Sequence, residues 1–79
     1  MRRLFNYMKD LMRQIVVSPG EDGYFVAECP SLPGCISQGK TKPEAIRNIR
    51  EAIDAYIDSL VRDGYPVPED HFDTLLMAV

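Results

Sequence analysis

Two short apolar runs near the start of the chain are separated by a cluster of turn-forming residues. Residues 12–18 and 24–29 are both rich in residue types that favour strands. Between them, residues 19–23 read Pro-Gly-Glu-Asp-Gly, a composition typical of a hairpin loop. The pattern therefore predicts two antiparallel strands joined by a short connection.

Prolines interrupt the apolar pattern after the second run. Pro30 and Pro33 have no N–H group to donate, so neither can continue a central strand, and the chain must turn a corner there. Gly34 supplies backbone freedom for this corner. Residues 35–39 then resume as a third strand. Three consecutive strands with short connections predict an antiparallel meander.

A long helical pattern follows the third strand. Thr41 and Glu44 have the spacing of a capping box, in which each side chain accepts a hydrogen bond from the other residue's N–H. Pro43 fits the first helical turn, and Gly64 is typical of a helix end. The pattern predicts one helix over residues 42–63. Its apolar face has 3.6-residue spacing and consists of Ala45, Ile46, Ile49, Ala52, Ile53, Tyr56, Ile57 and Leu60.

The last apolar run, residues 73–79, predicts a fourth strand after a tether over residues 65–68. The order is then β-β-β-α-β, that of a two-layer α+β domain with one long helix packed on the sheet. A helical crossover joins parallel strands, so we expect strand four to lie parallel to strand one, in the order 3-2-1-4. Residues 1–11 predict either a short N-terminal helix or an extension. We expect a single domain over residues 1–79.

The predicted strands place different side chains on the two faces of the sheet. One face is expected to pack on the helix through Ile15, Val17, Phe25, Ala27 and Ile36. The other carries Val16, Tyr24 and Val26, with Leu76 or the pair Leu75 and Met77, which is too much apolar surface to leave in water. A chain of 79 residues also buries only about 60% of its unfolded surface. We therefore expect a homodimer or higher homo-oligomer with Val16, Tyr24 and Val26 at its interface.

Composition limits the function further. The net charge is −3 and the pI is near 4.9, so the chain lacks the basic footprint of a phosphate-binding protein, and direct nucleic-acid binding is not expected. No apolar run approaches the roughly 20 residues of a membrane span, and the first residues lack the apolar core of a secretory signal. We expect a cytoplasmic protein without membrane contact.

Few residues offer catalytic or metal-binding chemistry. Cys29 and Cys35 are six positions apart, which is neither CxxC nor a spacing typical of structural zinc, and we interpret them as reduced, half-buried thiols. His71 is the only histidine. Glu28 is the only carboxylate in the predicted first three strands, whereas a two-metal nuclease needs several. We expect no catalytic residue, no metal and no cofactor.

The segment from about Ile15 to Pro68 resembles the HicB family of small toxin–antitoxin proteins. The resemblance rests on many matches at fixed spacing through the second strand, the corner, the third strand and the helix. The matching residues are Val26, Ala27, Glu28, Pro30, Leu32, Pro33, Gly34, Cys35, Ser37, Gly39, Thr41, Glu44, Ala45, Asn48, Ile49, Glu51, Ala52 and Ile53.

The resemblance implies a truncated ribonuclease-H-like fold and a function in binding. HicB antitoxins bind and block HicA, a small basic ribonuclease that cleaves messenger RNA, so the implied partner is a HicA-like toxin. We expect the contact to use acids on the exposed helix face, Glu51, Asp54 and Asp58, although a solvated face with weak i,i+4 ion pairs also explains them. Many HicB proteins continue into a separate DNA-binding segment, which we do not expect in this chain.

The alternative is an orphan ribonuclease-H-like domain that binds a small ligand or retains nuclease activity.

Overall fold

The computed structural model describes residues 12–70 and 77–78, which form one sheet and one long helix. The elements are β1 (Val16–Pro19), β2 (Phe25–Glu28), β3 (Ile36–Gly39) and α1 (Lys42–Arg62). The strands are antiparallel and lie in the order β1-β2-β3. The predicted α+β arrangement of a meander followed by one long helix is confirmed, with strands shorter than the apolar runs that predicted them.

The loop between β1 and β2 is a tight β-turn, in which the N–H of Tyr24 donates to the Glu21 carbonyl at 3.1 Å. Asp22 and Gly23 have φ values of 57° and 77°, in the left-handed region that aspartate and glycine tolerate better than most residues. The N–H of Gly20 donates to the carbonyl of Tyr24 at 2.7 Å and closes the loop. The Pro-Gly-Glu-Asp-Gly sequence thus forms the connection that its composition predicts.

Three backbone hydrogen bonds stabilise the corner between β2 and β3. The N–H of Cys29 donates to the Cys35 carbonyl, that of Leu32 to the Cys29 carbonyl, and that of Cys35 to the Leu32 carbonyl, at 3.0 to 3.1 Å. Leu32 is fully buried, so the corner contributes to the core. Gly34 has a φ of 80°, which a side chain with a Cβ adopts only with strain.

Thr41 caps the start of α1. Its hydroxyl accepts a hydrogen bond from the Glu44 N–H at 3.2 Å. The Glu44 carboxylate accepts from the N–H of Lys40 at 3.3 Å, one residue before the donor used in a capping box. At the other end, Asp63 is the C-cap and Gly64 follows with a φ of 74°. The helix therefore ends one residue earlier than predicted.

α1 lies close against β3. A Cβ atom added to Gly39 would be 2.5 Å from the backbone nitrogen of Ala45, so the approach requires glycine. Further along the helix, the side-chain amide of Asn48 donates to the Gln38 carbonyl at 2.8 Å. Along a strand of an antiparallel pair, successive carbonyls point alternately towards the neighbouring strand and away from it. The Cys35 carbonyl points towards β2, where it accepts from the Cys29 N–H. The Gln38 carbonyl, three residues later, therefore points away from β2. Asn48 thus binds an acceptor at the outer edge of β3.

The core lies between α1 and one face of the sheet. The strands present Val17 and Ala27 on this face as direct neighbours in the ladder. Partly buried residues extend the core on both layers, among them Phe25, Tyr56 and Ile57. The buried apolar residues are Ala27, Cys29, Leu32, Cys35, Ala45, Ile49 and Ile53.

The prediction that Ile36 packs against the helix is wrong. Ile36 is 56% exposed, whereas Cys35 is buried in the core. Successive side chains of a strand point to opposite faces, so the burial of Cys35 turns Ile36 to the open face. On that face Ile36 lies opposite Glu28 of β2, and Glu28 lies opposite Val16 of β1 on its other side.

Two predicted elements lie outside the described residues. These are the N-terminal helix or extension over residues 1–11 and most of the fourth strand over residues 73–79, including its Leu75 and Leu76. The strand order 3-2-1-4, the parallel pairing with strand one and the ribonuclease-H-like outline depend on that fourth strand. Met77, also named for the open sheet face, is described as exposed and without regular secondary structure.

Within the described parts of the chain, no helix combines the length and the apolar character needed to cross a membrane.

Candidate protein-interaction surface

The exposed face of α1 carries the three acids singled out from the sequence. Glu51, Asp54 and Asp58 are all exposed, on the side of the helix away from the core. Asp58 forms an i,i+4 ion pair with Arg62. The two other pairs expected from spacing, Arg47 with Glu51 and Arg50 with Asp54, are not formed within 4.0 Å in the described part of the chain. Glu51 and Asp54 therefore point into solvent without an ion-pair partner on their own helix.

Charge is segregated along this helix. Residues 40–50 contain four basic side chains and one acid, whereas residues 51–63 contain four acids and one arginine. The basic group consists of Lys40, Lys42, Arg47 and Arg50. The ammonium of Lys42 also lies 5.7 Å from the centre of the Phe25 ring, a cation–π distance. One end of α1 is thus suited to an acidic partner surface and the other end to a basic one.

The open face of the sheet is less apolar than the sequence suggests. Val16 is 48% exposed, whereas Tyr24 and Val26 are half-buried. Part of the cover over Val26 comes from Gly20, where an added Cβ would lie 2.8 Å from a Val26 methyl group. In the ladder, Val16 and Ile36 flank Glu28. The structure brings Val16, Val26 and Ile36 together on one face, with polar side chains between them.

A shallow apolar hollow lies between the start of β3 and the second half of α1. Its volume is about 460 Å³, and its lining includes Gly34, Ile36, Ala55 and Leu60. Tyr56 also lines the hollow, and its hydroxyl group donates a hydrogen bond to the Pro33 carbonyl. The hollow continues the exposed apolar surface of Ile36 around the edge of the sheet.

A polar cluster, which sequence reasoning missed, joins the segment after α1 to the start of the sheet. The Asp70 carboxylate accepts hydrogen bonds from the Gln14 N–H at 2.8 Å and from the Ser31 hydroxyl at 3.2 Å. The Arg13 guanidinium donates to the Ser31 oxygen at 3.0 Å, while its Nε is buried without a partner among the described residues. These residues are 18 to 56 positions apart, so no local pattern signals their contact.

The two cysteines are buried, unpaired thiols. Burial raises the pKa of the Cys35 thiol, and the neighbouring Cys29 raises it further. A raised pKa keeps the thiol protonated, whereas the thiolate is the reactive form. The arrangement therefore suits a small core residue and does not suit a nucleophile.

Carboxylates and thiols do not gather into a metal site in the described residues, where no group of three or more His, Cys, Asp or Glu could hold an ion. Glu28 is exposed on the open face of the sheet. His71 lies outside the described residues.

The described residues thus form a small α+β domain with two exposed surfaces, a charged helix face and a sheet face on which apolar and polar side chains alternate. Residues 14–76 match the family model of the HicB-like antitoxins of bacterial toxin–antitoxin systems. The chain belongs to this family.

Similar proteins support the assignment. A UPF0150 protein of Thermoplasma acidophilum is 48% identical over 61 residues, which cover 77% of this chain and 88% of that protein. A UPF0150 protein of Synechocystis is 44% identical over 69 residues, covering 87% of this chain and 80% of that protein. The crystal structure of the N-terminal domain of the antitoxin HicB from Burkholderia pseudomallei matches with a TM-score of 0.59 and 32% identity. This match covers 80% of this chain and 69% of the other.

Proposed function

We propose that this protein is an antitoxin that binds and neutralises a small HicA-type ribonuclease in the cytoplasm, and that it acts by contact and not by chemistry of its own. The observation that carries the proposal is the family match over residues 14–76, together with the structural similarity to the N-terminal domain of a HicB antitoxin. Direct nucleic-acid binding by this chain is not part of the proposal, because its net charge of −3 opposes phosphate contact.

The proposed toxin contact is the acidic half of α1. Glu51, Asp54 and Asp58 are exposed within two turns of the same helix, and Glu51 and Asp54 are not held by ion pairs among the described residues. A basic partner would therefore meet side chains that are free to reorient. Complementary charge of this kind mainly raises the association rate and orients the two proteins, and it contributes less to the equilibrium affinity.

Co-expression with a HicA-like ribonuclease tests the proposal. The chain should restore growth and protect messenger RNA, whereas the variant with Glu51, Asp54 and Asp58 all changed to Lys should associate more slowly and rescue less. The matched control changes Glu21, Asp22 and Glu69, which are exposed acids outside both the helix and the sheet face, to Lys. An equal loss of rescue in both variants would show that the effect comes from the net charge and not from the position of the acids on α1. No complex with any HicA-like toxin would refute the function, and magnesium-dependent RNA cleavage by the purified chain would favour the nuclease alternative.

We further propose that the open sheet face contributes to self-association through Val16, Tyr24 and Val26. Ile36 extends this apolar surface. Val16 is 48% exposed and Ile36 is 56% exposed, so both leave methyl groups in water that a second copy would cover. Changing Val16 to Glu should shift the protein towards monomer in light scattering. Tyr65, which is 63% exposed and lies after the helix, offers a control position outside the sheet.

A further inference from the structure

Six exposed residues of α1 form a straight line along its solvent-facing side. With 100° of rotation per residue, their positions fall within about 80° of one another. Their spacing of four, three, four, four and three residues is close to that of an antiparallel coiled-coil seam. We name them the outer stripe: Pro43, Arg47, Arg50, Asp54, Asp58 and Val61.

The order of residue types in the outer stripe is self-complementary. Read along the helix, it runs apolar, basic, basic, acidic, acidic, apolar. A second copy in the antiparallel direction presents the reverse order. With a two-fold axis near residue 52, Arg50 lies opposite Asp54 of the second copy, and Arg47 lies opposite its Asp58. Each opposite-charge pair then occurs twice.

The ends of the outer stripe are complementary in shape as well. Pro43, Ile46, Arg47 and Arg50 line a hollow of about 380 Å³ near the start of the helix. At the other end, Val61 projects with 62% of its surface exposed. The same two-fold axis sets Val61 of each copy against the hollow of the other, because positions 43 and 61 are equally far from residue 52. An isolated exposed valine thus gains an apolar site.

We propose that the outer stripe binds a second copy of this chain, with the two α1 helices antiparallel across a two-fold axis. A stable interface buries about 800 Å² on each partner, more than one side of a single helix provides. The dimer should therefore be weak, dependent on protein concentration, and weakened by salt, because its charge pairs lie close to solvent. The contact is separate from the open sheet face, so chains that use both surfaces would form oligomers larger than a dimer. It covers Asp54 and Asp58, so a toxin bound at the acids of α1 would compete with it.

Sedimentation equilibrium of the full chain carrying Val16→Glu, which removes association through the open sheet face, tests the proposal by charge exchange. We expect Arg50→Glu to weaken the dimer at least tenfold, since it sets two carboxylates opposite each other, and Asp54→Arg to do the same with two cations. The double variant Arg50→Glu with Asp54→Arg should restore dimerisation, because it exchanges the two charges and recreates both pairs. Lys40→Glu and Glu21→Arg are matched controls with the same charge changes outside the outer stripe and should leave the dimer intact.

Three results would overturn the proposal: a monomer at all accessible concentrations, a double variant no more dimeric than the single ones, or a dimer that tolerates Arg50→Glu but is lost in Ile36→Asp. The last result would assign self-association to the sheet face. Unchanged urea midpoints would establish that the variants fold. The measurement uses this chain alone, so its outcome is independent of any toxin.

Discussion

The hydroxyl group of Tyr56 donates a hydrogen bond to the carbonyl of Pro33 at 2.9 Å, and this bond joins the middle of α1 to the corner between β2 and β3. Proline cannot donate through its own nitrogen, yet its carbonyl remains an acceptor. The bond explains how a corner without a regular ladder keeps its position against the helix.

Changing Tyr56 to Phe should remove this bond and keep the ring. We expect a loss of about 0.5–1.5 kcal/mol in the free energy of unfolding, the usual net value of one hydrogen bond. Urea unfolding measures it. Tyr65, which is 63% exposed, supplies the control: Tyr65→Phe should leave the midpoint unchanged. An equal effect of both changes would contradict the assigned role of the Tyr56 hydroxyl.

Thr41→Ala should lower the free energy of unfolding by about 0.5–2 kcal/mol, because it removes the acceptor for the Glu44 N–H at the start of α1. Thr41→Ser keeps the hydroxyl oxygen and should retain most of the stability. Thermal unfolding of both variants checks the prediction. If serine and alanine give the same midpoint, the hydroxyl group does not stabilise the helix start.

The cost of replacing Gly34 should depend on how readily the new residue adopts the φ of 80° found at this position. Apart from its two chain neighbours, no described residue has an atom within 4 Å of an added Cβ, so the cost is conformational and not steric crowding. We expect Gly34→Ala to cost about 1–2 kcal/mol. Gly34→Val should cost more and Gly34→Asn less, since asparagine enters the left-handed region more readily. Urea midpoints in any other order would contradict this account.

The raised pKa of Cys35 predicts a pH-dependent stability. The unfolded chain loses the thiol proton near the ordinary value of 9.0, whereas the folded chain keeps it to higher pH. The unfolded state then binds fewer protons, so stability is fully present below 9.0 and falls as pH rises through the folded pKa. Cys35→Ala should flatten this fall relative to the parent chain. Parallel declines in urea midpoint for both proteins would refute the assignment.

The sequence predicts the fold where local chemistry decides it. The Pro-Gly-Glu-Asp-Gly loop, the corner glycine and the Thr41 cap are local signals, so the meander and the helix follow from them. The sequence pattern places Ile36 on the wrong face, because the strand that follows a corner can begin with either face inward. The burial of Cys35 in the same core as Leu32 sets that phase.

The candidate surfaces follow from the sequence only in part. The acids on the exposed face of α1 could be placed by helical periodicity. The Asp70 contacts with Gln14 and Ser31 could not, because they join residues that are 56 and 39 positions apart. The sequence also does not determine which of the three i,i+4 ion pairs on α1 forms, because pairing stabilises exposed side chains only weakly.

The hydrogen bond from Asn48 to the Gln38 carbonyl bears on the behaviour of the protein at high concentration. An unpaired strand edge is a template for uncontrolled sheet growth between molecules. Along β3, one outward-facing acceptor is already bound by the protein's own helix. A strand from another molecule would have to displace this amide before it could extend the ladder past residue 38. Among the described residues, a side chain of α1 therefore occupies part of the outer edge of β3 and opposes strand addition at that point.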